Sequence, residues 1–171
     1  LLADIRAYIN IREKEVEWEW CSLNSIVERL LDKHHTLIAQ KDAYIETSQM
    51  PTIVADSHCL NAALEQLILN SLTYSDSQPL VIHLAHEQIG DSHYLFVEDN
   101  GFGIPEPYQA QVFEMFKRLN DRRKFKGSGL GLSIAQRGME KMAGKVELVR
   151  SNELGSLFRL QLPIHQVPPT T

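Results

Sequence analysis

Residues 126–134 read KGSGLGLSI, with Gly127, Gly129 and Gly131 at alternate positions ahead of an apolar run that is typical of a helix. A glycine-rich turn at the start of a helix exposes backbone N–H groups at the positive end of the helix dipole, which suits an anion. The same glycines would also serve as a plain tight turn, because glycine adopts backbone conformations that other residues avoid. This stretch by itself leaves both interpretations open.

Two familiar phosphate-binding motifs do not fit this glycine turn. A dinucleotide-binding fingerprint needs G-x-G-x-x-G directly after a strand, whereas here the spacing is G-x-G-x-G and a basic loop precedes it. A P-loop needs Lys and then Ser or Thr directly after its last glycine, but Leu132 follows the last glycine here. The rest of the chain must therefore decide what the turn binds.

A second glycine site lies in VEDNGFGIP at residues 97–105. A predicted strand brings Asp99 to the end of a sheet, and the chain then turns through Gly101 and Gly103. An acidic residue beside glycines that allow close approach suits a ring that offers N–H donors. The simpler alternative is an Asx turn that closes a strand.

A third candidate lies in LEQLILNSLTYS at residues 64–75. Helical spacing places Gln66, Asn70 and Thr73 on one face and the leucines on the core face. An Asn carbonyl oxygen is a hard ligand that suits Mg²⁺, and a buried Asn amide is costly unless it is satisfied. The alternative is a capping or surface Asn.

The remaining pattern predicts a two-layer α/β (α+β) sandwich with one mixed, mostly antiparallel sheet packed against three helices. Ser22 and Asp56 are expected to cap helices, Gly90 and Asp91 to form a hairpin turn, and Gly144 to end the last helix. The expected strands are 16–20, 43–48, 51–56, 80–87, 93–99, 145–151 and 155–163. The expected helices are 23–40, 59–74 and 130–144, and residues 100–127 are expected to form an irregular functional lid.

Composition and charge narrow the class of protein. The chain has 171 residues, 43% of them hydrophobic and 23% charged, and its net charge of −5 argues against a nucleic-acid partner. Cys21 and Cys59 have no metal-site spacing and are read as reduced thiols in a cytoplasmic compartment. No apolar run is long enough to span a bilayer, so no membrane contact is expected of this piece.

Three segments are expected along the chain. Residues 1–16 form the end of a helix or linker from a preceding domain, residues 17–165 form the main domain, and residues 166–171 form a tail. The first helix is predicted to be amphipathic, with its apolar stripe on Leu1, Ile5, Tyr8, Ile9 and Arg12.

The combination of sites is far more specific than any one of them. A helix Asn, a strand-end D-x-G-x-G, an F-x-x-F at Phe113 and Phe116, and a G-x-G-L-G-L occur in that order. This resembles the ATP-binding catalytic domain of sensor histidine kinases, part of a wider group with gyrase and MutL ATPases. The resemblance covers about residues 17–163 and implies a Bergerat-type ATP-binding fold with ATP and Mg²⁺ as cofactors.

The resemblance implies a role for each matching position. Asp99 would accept a hydrogen bond from the adenine amino group, and Asn70 would hold Mg²⁺ against the phosphates. Ser156 would support Asp99 through water, and Phe113 with Phe116 would anchor the lid. The remaining implied nucleotide contacts are Tyr74, Gly101, Gly103 and Ile104 near the base, and Lys117, Arg118, Gly127, Ser128, Gly129, Leu130 and Gly131 near the phosphates. Six of the ten residues 117–126 are basic, and positive charge on a lid suits a triphosphate.

Three positions depart from the family pattern. Gln66 stands where these kinases usually have a second Asn and where gyrase-type ATPases have a catalytic Glu, so hydrolysis of ATP by a clamp-type ATPase is disfavoured. Leu69 replaces a frequent Asp, and Thr73 replaces a frequent Lys that reaches the phosphates. These changes motivate an alternative function, a degenerate domain that binds nucleotide weakly or not at all and docks to a partner.

The phospho-accepting histidine is expected outside this chain. His86 and Glu87 lie in a predicted strand without a following helix, so His86 is discounted as the acceptor. His34 and His35 lie mid-helix in the core layer, where a structural or surface role is favoured. The implied partners are therefore a dimeric phospho-acceptor helical domain of the same parent protein and, through that parent, a response regulator.

Overall fold

The computed structural model describes residues 2–75, 79–115 and 128–165. Its helices are α1 (Leu2–Glu13), α2 (Leu23–Lys33), α3 (His35–Gln40), α4 (Ser57–Thr73), α5 (Glu106–Gln109) and α6 (Gly131–Lys141). Its strands are β1 (Trp18–Ser22), β2 (Ala43–Thr47), β3 (Thr52–Asp56), β4 (Leu80–Ile89), β5 (Ser92–Asp99), β6 (Lys145–Asn152) and β7 (Gly155–Pro163). The predicted order of strands and long helices is confirmed, and α5 adds a short helix within the stretch expected to be irregular.

The main sheet has five strands in the order β2-β4-β5-β7-β6. β2 runs parallel to β4, and the other neighbours are antiparallel, which confirms a mixed, mostly antiparallel sheet. The expectation of one sheet is wrong, because β1 and β3 form a separate antiparallel pair. Those two strands pair along their whole length, and each continues directly into a helix of the layer that packs on the main sheet.

The core lies between the main sheet and a helical layer formed by α2, α4 and α6. Alternate residues of β7 are buried, as period-2 side-chain direction requires of a sheet with one covered face. Phe158, Leu160 and Leu162 of this strand are at most 1% exposed, and burial of each such side chain contributes about 1.5–3 kcal/mol. The packed layers hold the ends of β5 and α4 in fixed positions.

Two predicted helix caps are confirmed. Ser22 Oγ accepts a hydrogen bond from the Ser25 N–H at 3.3 Å, and Asp56 Oδ1 accepts one from the Cys59 N–H at 2.8 Å. Each cap satisfies a backbone donor that the first turn of a helix leaves free. Helix α4 therefore starts at a defined residue, which fixes the positions of its later side chains.

The helix expected over residues 23–40 is interrupted. His34 has φ −104° and ψ 13° and separates α2 from α3. Its Nε2 lies 2.7 Å from Glu65 Oε1 on α4, so a contact between helices accompanies the break. Helical periodicity continues across this position, and for that reason the pattern of apolar residues does not reveal the interruption.

The predicted end of α6 is also corrected. Ala143, with φ 56°, takes the left-handed conformation that Gly144 was expected to take. Gly144 instead allows close approach, because a Cβ there would lie 2.4 Å from the backbone oxygen of Gln161 on β7. The glycine thus serves the packing of the helix end against the sheet.

Helix α1 contacts α4 and α6 through a side that includes only part of the predicted stripe. Ile5 and Tyr8 of that stripe pack partly against the core, whereas Ile9 is 42% exposed and Ile11, outside the stripe, is 1% exposed. The packed side of the helix is therefore rotated from the predicted one towards Ile11. Among all the helices of the described ranges, none is long and apolar enough to cross a membrane.

Candidate nucleotide-binding site

Asp99 ends β5 and is the most highly connected carboxylate of the candidate site. Its Oδ1 accepts hydrogen bonds from the backbone N–H groups of Gly101 at 3.0 Å and Ser156 at 3.3 Å. Its Oδ2 accepts a third from the Ser71 hydroxyl of α4 at 2.7 Å. The residue is 8% exposed, and donors from three separate elements satisfy the buried carboxylate.

Gly101 lies where the turn after β5 passes close to the end of α4. A Cβ at this position would lie 3.0 Å from Asp99 Oδ1 and 3.2 Å from the Tyr74 backbone oxygen. Tyr74 ends α4, and its N–H donates to the Asn70 carbonyl at 3.0 Å. The structure therefore brings Asp99, Gly101 and Tyr74 together.

The second glycine of this turn approaches the β6–β7 hairpin. Gly103 has φ 69°, and a Cβ there would lie 1.9 Å from the Asn152 backbone oxygen. The neighbouring Ile104 N–H donates to Ser151 Oγ at 2.7 Å, and that oxygen lies 2.8 Å from Ser156 Oγ. Gly103 and Ile104 are thus fixed against β6, in the hairpin that also carries Ser156.

Ser156 lies beside Asp99 and forms a hydrogen bond to it with its backbone N–H group rather than with its hydroxyl. Its N–H donates to the carboxylate, while its Oγ lies against Ser151. The preceding Gly155 has φ 130°, and a Cβ there would lie 1.8 Å from the Asp99 backbone oxygen. The hairpin can reach the carboxylate only because residue 155 has no side chain.

The start of α6 carries the part of the glycine motif that the structure describes. Gly129 has φ 75°, and Ser128 Oγ accepts a hydrogen bond from the Leu130 N–H at 3.2 Å. Leu130 is buried and occupies the cap position without a side-chain hydrogen bond to the helix. Within the described part of the chain, the backbone donors of the first turn of α6 therefore have no side-chain cap, an arrangement that suits an anionic ligand.

Helix α4 faces this uncapped helix start through Gln66. A Cβ at Gly131 would lie 2.7 Å from Gln66 Oε1, so the carboxamide occupies the space that a side chain would fill. Asn70 lies one turn further along the same face and is partly exposed. The helices also approach closely at Gly138, where a Cβ would lie 2.9 Å from the Cys59 backbone oxygen.

Four predicted site residues, Phe116, Lys117, Arg118 and Gly127, lie outside the described residues. Phe113 is described and packs against the core, with its ring 6.4 Å from the Phe158 ring in an edge-on arrangement at 86°. This contact attaches the segment after α5 to β7. In the described ranges, no group of three or more His, Cys, Asp and Glu side chains could hold a metal ion.

The histidines considered as phosphate acceptors have other surroundings. His34 contacts Glu65, and His35 Nδ1 lies 2.7 Å from the Asp32 backbone oxygen. His86 Nε2 lies 3.1 Å from His93 Nδ1 on the adjacent strand, and burial lowers the pKa of both imidazoles. The contacts of His34 and His35 agree with the structural or surface role that was expected of them.

Two residues of the site escaped the sequence analysis. Ser71 donates to Asp99 although it stands among the buried leucines of α4, and a hydroxyl on an apolar helix face is a usable signal for a buried polar partner. Ser151 links Ile104 to Ser156. Its role depends on a pairing between distant segments, and no local pattern indicates it.

Comparisons with known proteins agree with this geometry. Residues 55–166 match the family described as Histidine kinase-, DNA gyrase B-, and HSP90-like ATPase. The sensor histidine kinase RppB of Synechocystis sp. is 35% identical over 159 residues, which cover 89% of this chain and 34% of that protein. The phytochrome-like protein Cph1 of Synechocystis sp. is 27% identical over 164 residues, 96% of this chain and 22% of that protein.

Solved structures share the fold. Full-length ShkA in complex with AMPPNP superposes with a TM-score of 0.81 at 21% identity, over 98% of this chain and 36% of that one. The chain spans only 22% and 34% of the two curated relatives named above. From the family match and the identity to RppB, the chain belongs to the histidine kinase-, DNA gyrase B- and HSP90-like ATPase family.

Proposed function

We propose that this chain is the ATP-binding catalytic domain of a sensor histidine kinase, which binds Mg·ATP and presents the γ-phosphate to a histidine on a separate, dimeric helical domain. The observation that carries the proposal is the convergence of a buried, triply bonded Asp99 with an uncapped, glycine-rich start of α6. The Asp99 carboxylate suits a base that carries an amino group, and the start of α6 suits phosphates. Sensor histidine kinases among the relatives support the same function.

The base end of the site would act by hydrogen bonding and close approach. The Asp99 carboxylate would accept the adenine amino N–H, because every group that contacts it in the structure donates to it. Gly101, Gly103 and Ile104 would shape the pocket wall beside the ring, since the backbone there has no room for larger side chains at the glycines. Tyr74 at the end of α4 would border the same pocket.

The phosphate end would act mainly by backbone donors. The N–H groups at Gly129, Leu130 and Gly131 are suited to hold phosphate oxygens, aided by the helix dipole and by Ser128. Arg118, Lys117, Phe116 and Gly127 are proposed to complete this end on the strength of the sequence resemblance. In phosphoryl transfer the protein supplies positioning and charge neutralisation rather than covalent chemistry.

The residues present fit a Mg²⁺ ion that the nucleotide itself largely holds. Mg²⁺ usually keeps several waters and is bound by one or two protein oxygens together with substrate phosphates. Asn70 and Gln66 lie on the same face of α4, and Gln66 contacts the start of α6 at Gly131. The side-chain carbonyl oxygen of Asn70 is the proposed protein ligand. The ion would supply neutralisation of phosphate charge.

A second candidate function is a degenerate domain that works by docking to a partner protein. The observation that favours it is Gln66, whose carboxamide fills space beside Gly131 where a phosphate would approach. Leu69 and Thr73 also lack the acidic and basic groups expected at those positions. Calorimetric titration of the chain with ATP, with and without Mg²⁺, separates the two functions: micromolar binding strengthened by Mg²⁺ supports the kinase domain, and no heat up to millimolar ATP supports the docking domain.

The proposed partners follow from the kinase function. The acceptor histidine would belong to the helical domain of the same parent protein, and the phosphoryl group would pass from there to a response regulator. The isolated chain is therefore expected to bind nucleotide without forming phosphohistidine. Stable phosphohistidine on this chain after incubation with Mg·ATP would contradict the proposal.

A further inference from the structure

Ser71 is a hydroxyl held on the core side of α4, where its neighbours in the helix are apolar. The residue is 2% exposed, and Leu67, Ile68 and Leu72 around it are fully buried. Burial of a hydroxyl costs free energy unless the group forms a hydrogen bond. Its partner is Asp99 Oδ2, 2.7 Å away on the opposite layer of the fold, so the consequences of this hydroxyl concern that carboxylate.

The three donors to Asp99 are divided unequally between its two oxygens. A carboxylate accepts about four hydrogen bonds, two at each oxygen. Oδ1 receives the N–H groups of Gly101 and Ser156 and is saturated, whereas Oδ2 receives only the Ser71 hydroxyl. Oδ2 therefore has one accepting position left, and it is the only oxygen of this side chain that can take a further donor.

The Ser71 bond also determines how the carboxylate plane is turned. The terminal torsion of an Asp side chain has a broad energy minimum, so it is poorly fixed by its own stereochemistry. Rotation about the Cβ–Cγ bond moves both oxygens together, and the two N–H donors, at 3.0 and 3.3 Å, restrain that rotation only through Oδ1. The bond from Ser71, at 2.7 Å the shortest of the three, restrains the same rotation through Oδ2 and so sets the direction of the remaining accepting position.

We infer that Ser71 is a specificity-determining positioning residue, which fixes Asp99 Oδ2 so that its remaining accepting position meets the exocyclic amino group of an adenine base. The inference rests on the proposed function, because it assigns the base end of the same site. The same hydroxyl could instead compete with the base for Oδ2. In that case removal of the hydroxyl would strengthen ATP binding, whereas the positioning role predicts a weaker preference for a base with an amino group.

The test compares ATP with purine riboside triphosphate, which lacks the 6-amino group, on the wild-type chain and on Ser71→Ala by calorimetry with Mg²⁺ present. Wild type is expected to prefer ATP by roughly tenfold or more, the effect of a hydrogen bond to a charged group. Ser71→Ala is expected to reduce that preference by about fivefold, the effect of one ordinary hydrogen bond. The affinity of Ser71→Ala for purine riboside triphosphate should stay unchanged. If the substitution only disturbed the structure of the site, the affinity for this analogue would fall as well.

Ser22→Ala is the matched control, because it also removes a hydroxyl hydrogen bond, the 3.3 Å cap of α2, at a distance in sequence from every site residue. It should lower the melting temperature without changing the preference for ATP. Ser71→Cys keeps the side-chain shape with a weaker donor, and its preference should lie between those of Ser71→Ala and wild type. This second variant tests the inference if the alanine variant does not fold.

The outcomes separate this inference from the proposed function. No binding of ATP by wild type would overturn both. Binding of ATP by wild type together with an unchanged or increased preference in Ser71→Ala, or an unchanged preference in Ser71→Cys if the alanine variant does not fold, would overturn the role of Ser71 alone. A reduced preference with an unchanged affinity for the analogue would support it.

Discussion

The two ends of the proposed site are built differently. At the base end, Asp99 is buried and bonded to α4, to its own turn and to β7, so its position is determined before any ligand binds. At the phosphate end, no side chain among the described residues caps the start of α6, and Asn70 and Gln66 are only partly buried. One end is preorganised by the fold, and the other offers donors that a ligand would complete. Because the two ends are built differently, we expect substitutions to weaken base recognition and phosphate binding separately.

The largest effect is expected for Gly155→Ala. The new Cβ would lie 1.8 Å from the Asp99 backbone oxygen at φ 130°, so the β5–β7 contact at the base end must open. We expect a loss of about 4 kcal/mol or more in the free energy of unfolding, measured by chemical denaturation. Gly90→Ala is the matched control: at φ 57° in open space it should cost only about 1–2 kcal/mol. Equal losses in the two variants would contradict the close approach.

Asp99→Asn should give the next largest effect, on binding rather than on folding. In Asn an NH2 group replaces one of the two oxygens: the remaining oxygen can still accept from Gly101 and Ser156, but an NH2 group in place of Oδ2 cannot accept from the Ser71 hydroxyl or from the adenine amino group. ATP affinity is expected to fall about a hundredfold, measured by calorimetry. The neighbouring Glu98 is exposed and pairs with Arg150, so Glu98→Gln should bind ATP as wild type does; a similar loss in both variants would refute a specific role for Asp99.

Asn70→Ala probes the phosphate end and should have a smaller effect. Loss of one contact to Mg²⁺ should weaken Mg·ATP binding by about tenfold, while binding of adenosine without Mg²⁺ stays unchanged. The measurement is a pair of titrations, one with each ligand. Asn61→Ala on the same helix is the control and should alter neither affinity. If adenosine binding fell as much as Mg·ATP binding, Asn70 would belong to the base end.

The smallest effect concerns pH and lies outside the site. Burial lowers the pKa of His86 and His93 below the ordinary 6.5, although Glu87 opposes the shift at His86. Below that pH the unfolded chain binds more protons than the folded chain, so the stability contributed by the neutral pair is present above pH 6.5 and is lost as the pH falls. Melting temperatures at pH 7.5 and 5.5 should therefore differ more for wild type than for the double variant His86→Gln, His93→Gln. If the melting temperatures of wild type and the double variant changed equally with pH, His86 and His93 would not be the source of the pH dependence.

Local signals in the sequence were sufficient to place Asp99 and the glycines after it at the end of a strand. Asp99, Gly101 and Gly103 follow a strand with clear alternation, and a strand-end acid followed by turn glycines has a local structural meaning. Helical spacing likewise put Gln66 and Asn70 on one face of α4, and the structure places Gln66 against Gly131. The family resemblance then joined these separate motifs into one site.

Long-range pairing is what the sequence could not provide. The Ser71–Asp99 bond joins residues 28 positions apart, and the separation of β1 and β3 from the main sheet depends on which strands find each other. Ile11 and Ile9 of α1 have the same side-chain chemistry, so only the tertiary contacts with α4 and α6 decide which is buried. Gly144 was expected for its backbone freedom and is needed instead for a contact with Gln161.

The most direct test of the central claim is a comparison of backbone amide NMR spectra of the chain with adenosine and with Mg·ADP. The account predicts that adenosine shifts the amide signals of Gly101 and Ser156 while leaving those of Gly129 and Gly131 in place, and that Mg·ADP shifts all four. Shifts at the α6 glycines with adenosine alone, or no shift at Gly101 and Ser156 with either ligand, would contradict a site with its base at Asp99 and its phosphates at the start of α6.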